Sequence, residues 1–163
     1  MIHEIAGDLL LSRAQVLAHG VAPNDPMDQG LALALHKRYP DMHKAYHRWC
    51  HQHHAEPGEV WLWRSEQGVM IANLLTQDNW DGHAHHPGKA SVPNVNHALH
   101  ALGKLAVKEH FTSIALPRLA TGVGGLDWVD VWPLIENRLG HLDIPVYVYA
   151  DYRPGQRANE TQV

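Results

Sequence analysis

The stretch LPRLATGVGGLDW, residues 116–128, decides how this chain is read. The apolar run at 114–116 predicts a strand, which passes through Pro117 into TGVGG and then into an acidic, apolar segment with the character of a helix start. A glycine-rich turn between a strand and a helix aims successive backbone N–H groups at one point, and the helix end adds partial positive charge, so the place suits a phosphate. The same residues also read as an ordinary loop that needs positive φ at Gly122, Gly124 and Gly125.

Working outward, short apolar runs at 2–5, 16–18, 60–63, 69–75 and 145–150 predict further strands. Between them, Leu31, Leu33 and Leu35 predict a helix over 29–38, which Pro40 stops. Asp41 then caps a second helix over 42–53. A third opens at Pro93 and runs to Glu109 with Val95, Leu99, Leu102 and Leu105 on one stripe. A fourth spans 130–139, where Pro133 is tolerable only within the first turn. Residues 76–90 lack an apolar period and predict a long surface loop of the kind that often carries function. Strands alternating with helices predict an α/β chain, with a central mixed, mostly parallel sheet between helical layers. Ligands of such sheets sit at the carboxyl ends of the strands. The loop 21–30 and the loop 120–127 therefore face one cleft if their strands are neighbours.

Composition sets outer limits. The 163 residues suffice for one domain with a real core, 45% of them being hydrophobic. A formal charge of −4 and a pI near 6.4 argue against gripping nucleic acid by bulk charge. The lone Cys50 excludes an internal disulfide and a cysteine zinc site, and fits a reducing cytoplasm. The start MIHEIAGDLLL has acid where a signal peptide wants positive charge, and no apolar run is long enough for a membrane span, so no membrane association is expected. Fifteen histidines are unusual. His43, His47 and His51 share a helix face with His53 and His54 just beyond, and His83, His85 and His86 form a second group. With no carboxylate set to complete a metal site, they read as a solvated face, and no resident metal is expected.

Four motifs in order and spacing, GDLL near the start, AHGVAPNDPMDQGLALAL, LLTQDNW and PRLATGVGGLDW before a final VYVYA, resemble the macrodomains, an ADP-ribose-binding family. The resemblance runs over nearly the whole chain. It implies a three-layer α/β/α macrodomain over residues 1–152, a polar and disordered tail over 153–163, a monomer, and no cofactor. The branch it resembles holds the terminal ADP-ribose protein glycohydrolase, the antitoxin that strips ADP-ribose from DNA, and the fungal-type ADP-ribose-1″-phosphate phosphatase. The implied partner is ADP-ribose or an ADP-ribosylated macromolecule, nucleic acid included.

Carried over by position, Asp8 and Leu9 in the GDL turn match the adenine site, where Asp8 accepts from the amino group or, alternatively, caps the following turn. Met27, Gln29 and Gly30 match the first loop, beside the distal ribose. Thr121, Gly122, Val123, Gly124, Gly125 and Leu126 match the diphosphate loop. Tyr149 matches an aromatic near the adenine or its ribose, with Tyr152 as its rival for that stacking role. The glycohydrolase branch uses a lysine where this chain has Gln77, and its aspartate falls on Gly124, so that mechanism is unavailable here in its known form. His19 matches a histidine of the phosphatase branch, as proton shuttle or as a structural residue. Asp25, Asp28 and Asp127 are the candidate general bases, Asp127 with the alternative of capping a helix. Hydrolysis of an ADP-ribose derivative, non-catalytic reading of ADP-ribose or a related NAD metabolite, and a metal-dependent hydrolase using the histidines are the functions in competition.

Overall fold

The computed structural model describes residues 1–79 and 88–160. Strands β1 (Ile2–Gly7), β2 (Val16–Val21), β3 (Val60–Arg64), β4 (Met70–Leu75), β5 (Ile114–Pro117) and β6 (Val146–Tyr152) form one sheet in the order β1-β6-β5-β2-β4-β3. Every pairing is parallel except that of β3 with β4. Helices α1 (Gly30–Arg38), α2 (Pro40–His53), α3 (Val92–Lys108) and α4 (Trp128–Leu139) cover it, and a 3-10 turn, Leu9–Leu11, follows β1.

The central strands are apolar on both sides because both sides are covered. Val16 and Ala18 of β2 face a core built with Leu99, Leu102, Val131 and Ile135 of α3 and α4. Their neighbours Leu17 and Val21 face the opposite core, with Leu35, Met42 and Tyr46 of α1 and α2. The period of two along each strand thus splits the hydrophobic residues into two cores, and the three layers follow.

Local details depart from the sequence reading. Pro40 does not merely stop α1: it opens α2 at its first position, where a missing N–H costs nothing, and Tyr39 rather than Asp41 is the residue before the helix. Helix α4 starts at Trp128, so Pro133 lies beyond the first turn. With no N–H, Pro133 cannot donate to the Val129 carbonyl four residues before it, and Val129 is itself exposed. The tail expected to be disordered is fixed over 153–160: Asp8 N–H donates to Gln156 O at 2.7 Å, and Glu160 accepts from Ser12 Oγ at 2.6 Å.

The histidine face is also not simply solvated. His36 and His43 stack at 3.9 Å and His43 and His47 meet at 4.4 Å between ring centroids. His36 Nδ1 lies 3.3 Å from Met27 O and His47 Nε2 3.0 Å from Asp25 O, so the row clamps the loop after β2. Burial first, then the flanking His36 and His47, lowers the His43 pKa to about 4. His51, His53 and His54 do remain exposed. His83, His85 and His86 lie outside the described residues, and among the described residues no histidine group could hold a metal.

Candidate functional site

Strands β2 and β5 are neighbours, with Val16 beside Ile114 and Leu17 beside Ala115. The loops that leave them therefore diverge from adjacent carboxyl ends and enclose a cleft, as such sheets require. One part, about 280 Å³, lies between the two loops, with Gln29, Gly30 and Asp28 on one side and Gly122, Val123 and Gly124 on the other. A second part, about 430 Å³, is walled by Leu9, Leu10, Tyr149 and Tyr152. Both parts share Gly30, Leu31 and Pro117, so they form one elongated cleft of the size and lining of small-molecule sites.

The loop after β5 supplies donors. Among the described residues the N–H groups of Thr121, Gly122, Val123 and Gly124 meet no acceptor, whereas Gly125 N–H donates to Gly122 O at 3.0 Å and Leu126 N–H to Ala120 O at 3.0 Å. Those two bonds fold the loop, and the free amides ahead of them make a concave anion site. Only Gly125 among the three glycines has positive φ, at 78°. Gly124 is needed for space instead: a Cβ there would lie 2.7 Å from Ala120 O and 2.9 Å from Ala90 Cβ. Gly122 would meet nothing within 4 Å. Positive charge stands close by. A Cβ on Gly125 would be 3.9 Å from Lys89 Nζ, and Arg118 lies in the cleft wall with its guanidinium 5.5 Å over the Trp128 ring.

The loop after β2 supplies the opposite side. Helix α1 begins at Gly30 with no side chain capping it, so the first amides of the helix point out unpaired, with the positive end of its dipole beside the cleft. Asp25, 4% exposed, builds this loop: one oxygen accepts Ala22 N–H at 2.9 Å and the other Met27 N–H at 2.9 Å. Burial raises its pKa despite these bonds. Asn24 and Met27 hold φ of 56° and 52°, and Ala120 in the other loop 64°, so left-handed backbone in non-glycine residues flanks the cleft on both sides.

His19 stands on β2 opposite Asn73 of β4, its Nε2 2.7 Å from Asn73 Oδ1. Asn73 Nδ2 donates toward Trp61 O at 3.4 Å, which leaves Oδ1 as acceptor and places the imidazole proton on Nε2. His19 Nδ1 is then a bare lone pair, buried and unpartnered, on a residue that lines the cleft. Burial lowers its pKa to about 4, the Asn73 bond opposing the shift, so the ring is neutral near pH 7.

The sequence-derived residues thus divide. His19, Asp28, Gln29, Gly30, Gly122, Val123 and Gly124 line the part of about 280 Å³, and Leu9, Tyr149 and Tyr152 the part of about 430 Å³. Asp25 reaches the wall but both its oxygens are engaged by loop amides. Met27 is wholly buried beneath the loop. Asp8 serves the capping alternative, with Leu10 N–H on Oδ1 at 3.0 Å and Gly155 N–H on Oδ2 at 2.9 Å. Thr121, Gly125 and Leu126 shape the loop rather than line the cavity; Thr121 Oγ donates to Arg118 O at 2.8 Å. Asp127 directly precedes α4, is exposed and outside the cavity lining, and its side chain makes no capping bond. Gln77 lines the cleft with its amide donating to Gly88 O at 2.8 Å. Sequence reading missed Arg118, Leu31 and Ala34 as cleft residues, although all three lie inside the quoted motifs and Leu31 directly follows Gly30.

Comparison with known proteins bears on the same region. The model of the Macro domain matches residues 18–135, which spans both cleft loops. A DNA ADP-ribosyl transferase-DNA ADP-ribosyl glycohydrolase fusion protein of Thermosipho africanus is 28% identical over 158 residues, 89% of this chain and 40% of that protein. An ADP-ribose 1″-phosphate phosphatase of Candida albicans is 24% identical over 91% of this chain and 99% of its own. The solved macrodomain of Mycobacterium tuberculosis DarG superposes with a TM-score of 0.82 at 27% identity, covering 94% of this chain and 98% of that one. The chain therefore spans about 40% of the length of the fusion protein it resembles. With the sheet order, the paired loops and a family match over most of its length in agreement, this chain belongs to the Macro domain family.

Proposed function

We propose that this chain binds ADP-ribose in the cleft and hydrolyses an ADP-ribose derivative, either a macromolecular ADP-ribosyl link or a 1″-phosphate. The observation that carries the reading is the pair of opposed amide cradles, the unpaired N–H groups at 121–124 and the uncapped start of α1 at Gly30, close enough to line one cavity. A diphosphate presents anionic oxygens on two sides and suits such a pair. The names of the relatives, which act on ADP-ribosyl DNA and on ADP-ribose 1″-phosphate, support the substrate class.

In this reading the ligand's base end lies by Tyr149 and Tyr152 and its distal ribose by His19 and Asp28. His19, neutral and held by Asn73, forms part of the floor there. Asp28, exposed at the lip, is the carboxylate placed to take a proton from an attacking water. A cytoplasmic setting is supported by the free thiol of Cys50.

One observation favours a non-catalytic reader instead. Gln77 is tied to Gly88 O, and Gly124 has no space for a side chain, so the two positions that carry the lysine and aspartate of the glycohydrolase branch hold neither nucleophile nor base. One incubation separates the two. The purified chain is given ADP-ribose-1″-phosphate, protein ADP-ribosylated on Glu or Asp, and ADP-ribosylated DNA. Turnover of any of them supports the enzyme; micromolar ADP-ribose binding with no turnover leaves the reader; and no ADP-ribose binding removes both.

A further inference from the structure

Resting on the ADP-ribose reading, we propose that residues 153–160 form a strap that sets the base selectivity of the cleft, with Glu160 as its positioning residue. The strap leaves β6 after Tyr152 and returns under the end of β1. Arg153 N–H donates to Gly7 O at 3.0 Å, and Ala158 packs so closely on Gly7 that a Cβ there would lie 2.7 Å from the alanine methyl. Glycine is what allows the strap to seat at that strand end.

From this seat the strap holds both walls of the cavity of about 430 Å³. One wall is the turn carrying Leu9 and Leu10. Its lead residue Asp8 donates its N–H to Gln156 O at 2.7 Å and accepts Gly155 N–H on Oδ2 at 2.9 Å, and Arg157 Nη1 donates to Leu11 O at 3.2 Å. The facing wall is Tyr149, whose hydroxyl donates to Glu160 Oε2 at 2.7 Å. The same carboxylate accepts Ser12 Oγ–H on Oε2 at 2.6 Å and Arg13 N–H on Oε1 at 2.9 Å. One side chain thus ties the ring of β6 to the chain that leaves the Leu9–Leu11 turn, through bonds of the charge-assisted kind. Burial, and then the bond to Glu160, raise the Tyr149 pKa, so the phenol stays the donor.

A pocket discriminates between similar bases only if its walls are held, because a loose wall accommodates either. Among the described residues no hydrogen bond joins the strap to the loops 21–30 and 120–127, so loosening it should act on the base and spare the rest.

The test is calorimetric titration of the full chain, Glu160→Ala, Glu160→Gln and Tyr149→Phe with ADP-ribose and with its analogue carrying hypoxanthine for adenine. The full chain is expected to favour ADP-ribose by about two- to tenfold, the range of one net polar contact. In Glu160→Ala the ratio should fall toward one, chiefly through loss of ADP-ribose affinity. Glu160→Gln, which keeps acceptor oxygen on the amide, should recover most of the ratio. Tyr149→Phe removes one hydroxyl and should behave as Glu160→Ala, and it decides the matter if the alanine variant does not fold. An unchanged ratio in Glu160→Ala or Tyr149→Phe, including an equal loss for both ligands, overturns the strap proposal while leaving ADP-ribose binding intact. A full chain without preference overturns it too. A full chain that binds neither ligand overturns the functional reading and the strap with it.

Discussion

His19 and Asn73 face each other in register across β2 and β4, the imidazole Nε2 2.7 Å from the amide oxygen. Because the folded ring has a pKa of about 4 against 6.5 when exposed, the unfolded chain takes up a proton between those values that the folded chain refuses. Stability from this group is therefore complete above about pH 6.5 and is lost as pH falls toward 4, by on the order of 3 kcal/mol at full loss. The row of His36, His43 and His47 acts in the same direction through His43. Urea denaturation at pH 7 and pH 5 should show the full chain weaker at pH 5, and His19→Leu should flatten the difference without abolishing it. The same drop in both proteins would mean that His19 is not the group refusing the proton.

Gly122 and Gly124 sit two residues apart and should respond oppositely in folding. A side chain on Gly122 meets nothing within 4 Å and grows into the cavity, so Gly122→Val should leave stability within about 0.5 kcal/mol while ADP-ribose affinity falls more than tenfold. A methyl on Gly124 meets the Ala120 carbonyl oxygen at 2.7 Å, so Gly124→Ala should lose about 1–3 kcal/mol as well as affinity. Denaturation and calorimetry on both variants check this, and full affinity in Gly122→Val would place the ligand elsewhere.

Asp25 and Asp28 differ in what their oxygens already do. In Asp25→Ala the amides of Ala22 and Met27 lose buried acceptors, a cost of about 1–3 kcal/mol, and the first loop should loosen along with binding. Asp28 is exposed and holds no loop amide among the described residues, so Asp28→Asn should keep both stability and ADP-ribose affinity and lose turnover at least a hundredfold. Turnover assays on the substrate identified for the full chain decide it; an Asp28→Asn chain at full rate would remove Asp28 as the base.

Much of this was legible from local pattern. Period-two and period-three-to-four runs located the strands and helices, and the glycine run with its preceding proline located the loop after β5 that lines the cleft, because those signals depend on near neighbours. The neighbour relation of β2 and β5 was only a condition in the sequence, since strand order comes from packing. What a carboxylate does was less legible still. Asp25 and Asp28 lie three residues apart in one loop, yet one is locked by amides and the other free, and nothing in NDPMD separates them. The strap was misread for a related reason: a polar tail has no apolar period, and its order rests on bonds to Asp8, Ser12 and Tyr149 that are distant in the chain.

The exchange of lysine for Gln77 is the last contrast, because restoring it should not restore the chemistry. Gln77 is 6% exposed and its amide nitrogen is 2.8 Å from Gly88 O. In Gln77→Lys the ammonium reaches the same carbonyl but carries a charge into a buried place, which lowers its pKa and costs about 1–3 kcal/mol. A nucleophilic amine also needs a proton acceptor beside it, and Gly124 offers none. Supplying one through Gly124→Asp forces the new Cβ against Ala120 O and Ala90 Cβ. The double variant Gln77→Lys/Gly124→Asp should therefore be less stable than either single variant and show no more release of ADP-ribose from modified protein than the full chain. A gain of tenfold or more in that release, measured by chromatography of free ADP-ribose, would show that the loop can shift to admit the side chain and that the glycine contact is not what bars this mechanism.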